Sequence, residues 1–233
     1  MQLTSPEIEN SMNVATRTLK IVTAALFVTT GISQAAVFKP VLNAEGKTGL
    51  TFSIPYTFGK HDGETLSLSG QIEIDPETLV VTNGEFSFPV TSLSSGNRKR
   101  DCHIEESIGL DYSKSSYPKS QVCGGTNTLP TEGNDAIAFP NLIFKMESST
   151  ASKTAGEPAV VRGSFEMHGV SKPLEAVIFI TKNDAGIVRL QGTFMLSMAA
   201  YGAVVNPVVG IKVGDPITVT VDVHLKTESA KAQ

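Results

Sequence analysis

Apolar and polar residues alternate with a period of two along most of this chain. "TFSIPYTF" places Phe52, Ile54, Tyr56 and Phe58 on one side of an extended backbone and Thr51, Ser53, Pro55 and Thr57 on the other. "TLSLSGQIEID" repeats the pattern with Leu66, Leu68, Ile72 and Ile74. It returns at Phe86, Phe88 and Val90, and again at Leu142, Phe144 and Met146. In "ITVTVDVHLK", Ile217, Val219, Val221, Val223 and Leu225 alternate with Thr218, Thr220, Asp222, His224 and Lys226. Successive side chains of a strand point to opposite faces, so such runs predict half-buried strands of an antiparallel sheet, one face dry and one wet. Turn-forming stretches fall between them: "KHDGE", "DPET", "NGE", "TAGEP", "KNDAG" and "VGDP". About nine strands are predicted, near residues 37–43, 49–59, 64–75, 79–91, 136–147, 159–168, 173–182, 187–199 and 216–227. The fold class is all-β, a barrel or a sandwich.

Two segments break the alternation. From Leu93 to Asn134 there is none, and this stretch opens with the densest charge in the chain, "GNRKRDCHIEESIGLDYS". Arg100 to Leu110 suits a turn or two of helix, with Asp101 accepting backbone N–H groups at its first turn. A segment this long outside the sheet is usually a functional loop or a lid. The other break is at the start. Arg17 and Lys20 precede the apolar run "IVTAALFVTTGI", which ends in "SQAA" with small residues at Ser33 and Ala35. That is the layout of a secretory signal peptide, and the run is too short to span a bilayer. Residues 1–35 are expected to be removed by cleavage near Ala35, leaving 36–233 as one exported domain, periplasmic in a Gram-negative cell, with no integral membrane anchor. Translation starts at Met1 or Met12.

Charge and cysteine content narrow the function. A net charge of −4 with no basic tract makes a poor partner for nucleic acid. Cys102 and Cys123 are the two cysteines, and in an oxidising compartment a lone pair is most simply a disulfide, two free thiols or metal ligands being the alternatives. Cys102, His103, Cys123 and His168 lack the close-spaced pairs of structural zinc, so no metal site is expected. There is no G-x-S-x-G, H-E-x-x-H, Walker or CxxC motif, and the chain does not read as an enzyme.

The dry face is rich in Phe and Met: Phe52, Phe58, Phe86, Phe88, Phe144, Met146, Phe165, Met167, Phe194 and Met198, with no Trp in the chain. These residues make an adaptable wall for a long apolar ligand. They serve equally as the packed core of a filled β-domain, and periodicity does not separate the two.

Three stretches carry a resemblance. "SLSSGNRKRDCHIEESIGLDYSKSSYP", "GSFEMHGVSKPLEAVI" and "LSMAAYGAVV" followed by "VGIKVGDPITVTVDV" resemble, in that order, elements of the YceI-like family of bacterial exported proteins. Ser95 stands where that family usually has Thr, Ile104 where it has Leu, and Ser171 where it has Thr. The resemblance implies a single antiparallel lipocalin-like β-barrel of about eight to nine strands, with a short helical cap over an elongated apolar pore. It implies a lipophilic ligand, a polyisoprenoid such as a quinone or an isoprenyl phosphate, or sequestration of lipophilic antibiotics. An enzyme acting on such a lipid is the alternative. No cofactor is expected beyond a bound lipid, and a homodimer is allowed. On this view Phe52, Phe86, Phe88, Phe144, Met146, Phe165, Met167 and Phe194 line the pore. Arg100 and His168 meet a head group at the rim, unless Arg100 is merely solvated and His168 merely holds turn carbonyls. Tyr201 is a mouth residue or an interface aromatic.

Overall fold

The computed structural model of the chain describes residues 35–47, 49–116, 123, 127–150, 157–203 and 212–227. The expected leader lies outside the described residues, as does most of the "TAGEP" turn. The described residues hold eleven strands: β1 (Ala36–Val41), β2 (Leu50–Tyr56), β3 (Gly59–Thr65), β4 (Ser69–Ile74), β5 (Val81–Pro89), β6 (Leu93–Ser94), β7 (Asn141–Ser149), β8 (Pro158–Met167), β9 (Val170–Lys182), β10 (Val188–Leu196) and β11 (Ile217–Thr227). One α-helix, α1 (Arg98–Gly109), joins β6 to the segment before β7.

Eight strands close on themselves in the order β1, β4, β5, β7, β8, β9, β10, β11, with β11 pairing back to β1 and every pair antiparallel. Closure leaves no unpaired sheet edge around the ring. The fold is a closed antiparallel β-barrel, as expected, with three additional strands. β2 pairs with β11, β3 with β2, and β6 with β3.

One edge of β11 therefore serves two strands. Its C-terminal half takes β1, from Phe38 opposite Thr227 to Val41 opposite His224. Its N-terminal half takes β2, from Leu50 opposite Val221 to Ser53 opposite Thr218. The chain leaves that edge after Val41 and returns at Gly49, whose carbonyl accepts from Asp222 N at 2.6 Å. Gly49 has φ +78°, and a Cβ there would lie 1.7 Å from the Asp222 carbonyl oxygen, so only glycine fits the approach. A second junction forms where β5 ends in a 3-10 turn, Val90–Ser92, and runs on into β6. Buried Ser92 ties the upper strands to this turn: its Oγ lies 2.7 Å from Thr65 Oγ1, and its carbonyl accepts from Leu66 N at 2.8 Å.

Three expectations are corrected. "KHDGE" is part of β3 rather than a turn, a strand without alternation because it pairs with β2 outside the closed ring. "NGE" lies within β5, where Gly84 sits opposite Ile72 and Met146. Phe58 and Leu66 fall beside turns instead of on the dry face and are 76% and 66% exposed.

The inward side chains form two apolar layers. Phe38, Ile72, Ile74, Val188, Val223 and Leu225 belong to the first, at the β1 end. Phe52, Phe88, Val90, Leu93, Ile108, Phe165 and Ile217 belong to the second, at the α1 end. Gly63 shows how tightly the second is built: a Cβ there would sit 2.3 Å from Phe52 Cζ and 2.7 Å from the Ser94 carbonyl oxygen. Gly63→Ala is expected to lower stability by about 1–3 kcal/mol through overpacking, read as a lower urea midpoint at unchanged m-value.

Candidate ligand cavity and its cap

The two apolar layers do not fill the barrel. Along its axis lies a cavity of about 100 Å³. Shared among residues of most of the strands, that volume makes a narrow space, suited to a slender chain and not to a globular molecule. Its wall is apolar throughout. β11 contributes Ile217, Val219, Val221 and Val223; β10 contributes Leu190, Phe194 and Leu196; β2 contributes Leu50, Phe52 and Ile54. The far side is Val81, Phe86 and Phe88 from β5, Leu142, Phe144 and Met146 from β7, and Val161, Phe165 and Met167 from β8. Four residues separated by two positions on β11 alone cover roughly 20 Å of strand, about 15 Å of axis at the tilt of a barrel strand.

Phe144, Phe194, Val221 and Leu68 touch both apolar layers yet are only half-buried. All four line the cavity, so the surface they leave free faces the lumen. An unfilled apolar lumen of this size costs the barrel on the order of 2 kcal/mol, a deficit that an apolar occupant would offset.

Helix α1 closes the end of the barrel nearest Ile217. It has 12 residues, longer than the turn or two expected. Asn97, not Asp101, is the N-cap, its side chain accepting from Arg100 N at 3.1 Å. Asp101 Oδ1 instead accepts from Ser95 N at 2.7 Å and Ser95 Oγ at 2.5 Å, holding the strand-to-helix turn. Ile104 and Ile108, four apart and on one helix face, complete the cavity wall. Neither was expected from the sequence; the signal that could have found them is an apolar pair at i, i+4 inside the charged run. Glu105 and Glu106 are buried on the same helix. Arg98 grips Glu105 with both guanidinium nitrogens, at 2.5 and 3.2 Å. That hydrogen bonding holds the Arg98 pKa above its ordinary value. His103 Nδ1 lies 3.0 Å from Glu106 Oε2. Cys102 and Cys123 form a disulfide and are fully buried, so the cap segment is cross-linked to itself.

The helix is also fastened at its C-terminal end, where carbonyls lack intrahelical partners. His168 Nδ1 lies 3.2 Å from the Ile108 carbonyl oxygen, and Ala138 N and Phe139 N donate to the Gly109 carbonyl at 2.8 and 2.9 Å. His168 and Gly169 form the two-residue turn between β8 and β9, both at positive φ (54° and 71°). A histidine in that region is strained unless its surroundings hold it. The Phe139 ring, 4.8 Å away, and the Ile108 carbonyl do so.

The structure brings eight of the expected site residues to one place: Phe52, Phe86, Phe88, Phe144, Met146, Phe165, Met167 and Phe194 all stand on the cavity wall. The other three lie off it. Arg100, on the first turn of α1, faces the β2–β3 hairpin; burial, then its guanidinium, hold His61 below the ordinary histidine range. His61 in turn stacks on Tyr56 with ring centres 4.2 Å apart. Tyr201 is buried behind the wall, its ring edge-on to Phe165 at 5.8 Å, and burial raises its phenol pKa.

Residues 42–225 match the family model described as the YceI-like domain. The chain belongs to the YceI-like family. No curated protein matches it. Among solved structures, it is similar to BcnA of Burkholderia cenocepacia at a TM-score of 0.53 and 12% identity, covering 76% of this chain and 94% of that one. A polyisoprenoid-binding domain of Saccharophagus degradans implicated in plant cell wall breakdown superposes at 0.52 and 11% identity, covering 84% and 100%. The YceI protein of Campylobacter jejuni does so at 0.50 and 16%, covering 72% and 84%. At these identities the likeness is one of fold.

Two outcomes follow from the geometry of the YceI-like barrel. Phe38, 1% exposed, is packed on all sides, so Phe38→Ala should cost about 3–5 kcal/mol. Phe194→Ala removes a side chain that already borders empty space and should cost less than half as much in ligand-free protein, by urea titration of both. The disulfide closes a loop with a sequence separation of 21, worth about 3 kcal/mol in the chain-entropy model. Reduction should raise hydrogen exchange in α1 while the barrel strands stay protected; unchanged exchange in α1 would mean that the cross-link does not hold the cap.

Proposed function

We propose that this protein is an exported binding protein that encloses the tail of a long lipophilic molecule, a polyisoprenoid such as a quinone or an isoprenyl phosphate, in the barrel lumen. The observation that carries the reading is a narrow, unfilled cavity with an exclusively apolar wall under a fastened helical cap. Burying apolar ligand surface contributes roughly 25 cal/mol per Å² before ordering costs, so a long tail needs few polar contacts. A catalytic reading calls for a polar pair facing the reacting atoms, and the lining residues are Leu, Ile, Val, Phe and Met. The fold shared with a polyisoprenoid-binding domain supports the ligand class. The disulfide supports an oxidising compartment such as the periplasm, reached through cleavage near Ala35. A head group stays outside the apolar lumen on this reading, with Arg100 at the mouth, a residue in no ion pair among the described ones. Outward-facing Val177 and Phe179 on β9, and Met195 on β10, offer an apolar surface for a homodimer.

The test is organic extraction of protein purified from its native host, followed by mass spectrometry. A co-purifying isoprenoid lipid is expected. Clean protein that also fails to take up a quinone or an isoprenyl phosphate overturns the reading. Phe144→Asp should retain no lipid, because a carboxylate on the wall keeps water in the lumen and opposes an apolar tail; circular dichroism checks that the variant has folded.

A further inference from the structure

We propose that the dithiol form of this protein is a zinc-class metal site built from Cys102, His103, Glu106 and Cys123. The same cap loop would then be closed by either of two cross-links, a disulfide or a divalent ion. Sequence spacing gave no reason to expect this, because Cys123 is distant along the chain and Glu106 reads as one of several surface acids. The helix changes that. Cys102 and Glu106 are four apart and His103 and Glu106 three apart, so all three share one side of α1. Cys123 comes to the same side through the disulfide.

Three of the four donor atoms are already gathered. His103 Nδ1, a Glu106 carboxylate oxygen and Cys123 Sγ all lie within 4.8 Å of one another. Cys102 Sγ is bonded to Cys123 Sγ. Around a tetrahedral zinc, bonds of about 2.0–2.3 Å place donors roughly 3.3–3.8 Å apart. The nitrogen–oxygen pair, at 3.0 Å, is close to that already, and opening the S–S bond frees both sulfurs to move apart towards it. The set of two thiolates, an imidazole and a carboxylate is of the kind that binds zinc, a borderline-soft ion. Cys102, Cys123 and Glu106 are fully buried, while the His103 side chain is 28% exposed, which gives the ion a path in.

The chemistry balances with an external dithiol or phosphine as reductant. Two electrons and two protons convert the disulfide to two thiols, and the reductant leaves as its disulfide or phosphine oxide, the oxide's oxygen coming from water. On metal binding each thiol releases its proton to solvent, and His103 and Glu106 supply the nitrogen and oxygen donors. In the disulfide no thiolate exists, so the oxidised protein lacks half of the donor set.

The experiment uses the full chain with both thiols kept reduced through purification and counted by alkylation and mass spectrometry. Cobalt(II) is titrated in without chelators. One equivalent is expected to bind with thiolate-to-cobalt charge-transfer and tetrahedral ligand-field bands, and zinc to displace it. Zinc should raise the Tm of the reduced protein and leave that of the oxidised protein unchanged. Glu106→Gln and His103→Ala should each weaken binding by at least about tenfold while the charge-transfer band persists; the oxidised form of each variant reports that it has folded. Absence of binding to the reduced wild-type protein overturns the proposal. So does equal binding by the oxidised protein, or affinity unaltered in both variants, which would mean that two free thiols bind metal without the built site.

Discussion

Everything at the mouth of this barrel follows from the way β11 shares one of its edges. A closed ring needs each strand paired on both sides, and β11 meets that need with β1 along its C-terminal half and β2 along its N-terminal half. Below, the wall passes through β1 and β4 to β5. Above, it passes through β2, β3 and the short β6, and reaches the end of β5 only through the Val90–Ser92 turn. The upper wall is therefore held at its junction by Ser92, Thr65 and Leu66 instead of by a full ladder. The chain emerging from that junction becomes α1, which is why the helix sits where the barrel needs a lid.

A helix laid over an apolar lumen has to bury some polar groups along with its apolar face. Here the acidic ones are Asp101, Glu105 and Glu106. Each meets a nearby partner: the Ser95 amide and hydroxyl, the Arg98 guanidinium, and His103. Exposed ion pairs contribute little, but breaking a buried one by deleting a partner costs about 3–5 kcal/mol. The acids of α1 thus fix the helix in one position more than they add to net stability. His168 completes the fastening from the opposite side, holding a helix carbonyl from a strained turn conformation. Its ring is committed to structure at Nδ1, which makes it a support for the cap.

The strands of the ring were legible because each has one dry and one wet face, and alternation reports that asymmetry directly. β3 was not, since "GKHDGET" pairs outside the closed ring and carries no apolar series. The disulfide was legible from two cysteines in a chain expected to be exported. The Phe and Met residues of the wall could be named, yet their surroundings could not, because a core and a pore present the same pattern along a strand. The site on α1 was hidden for a different reason. Helical spacing gives a run such as "RDCHIEE" its faces, and until the helix is known, Ile104 and Glu106 are indistinguishable from their neighbours in the charge cluster.

What makes the lumen hollow is found in its glycines as much as in its large side chains. Gly63 lies opposite Phe52, Gly84 opposite Ile72 and Met146, and Gly192 opposite Ile178 and Val221. Directly paired residues share a face, so all three glycines point inward. A Cβ on any of them would meet a wall side chain: Phe52 at 2.3 Å, Ile72 and Met146 at 3.0 Å, Ile178 at 2.4 Å. The large neighbours therefore occupy the space beside the wall that a side chain at each glycine would fill. In a filled barrel the same residues would project inward and interdigitate. Hydrophobic content sets how apolar the lumen is, and the position of residues without side chains sets whether there is a lumen. Composition reports only the first of these, and the second depends on which strand pairs with which and in what register.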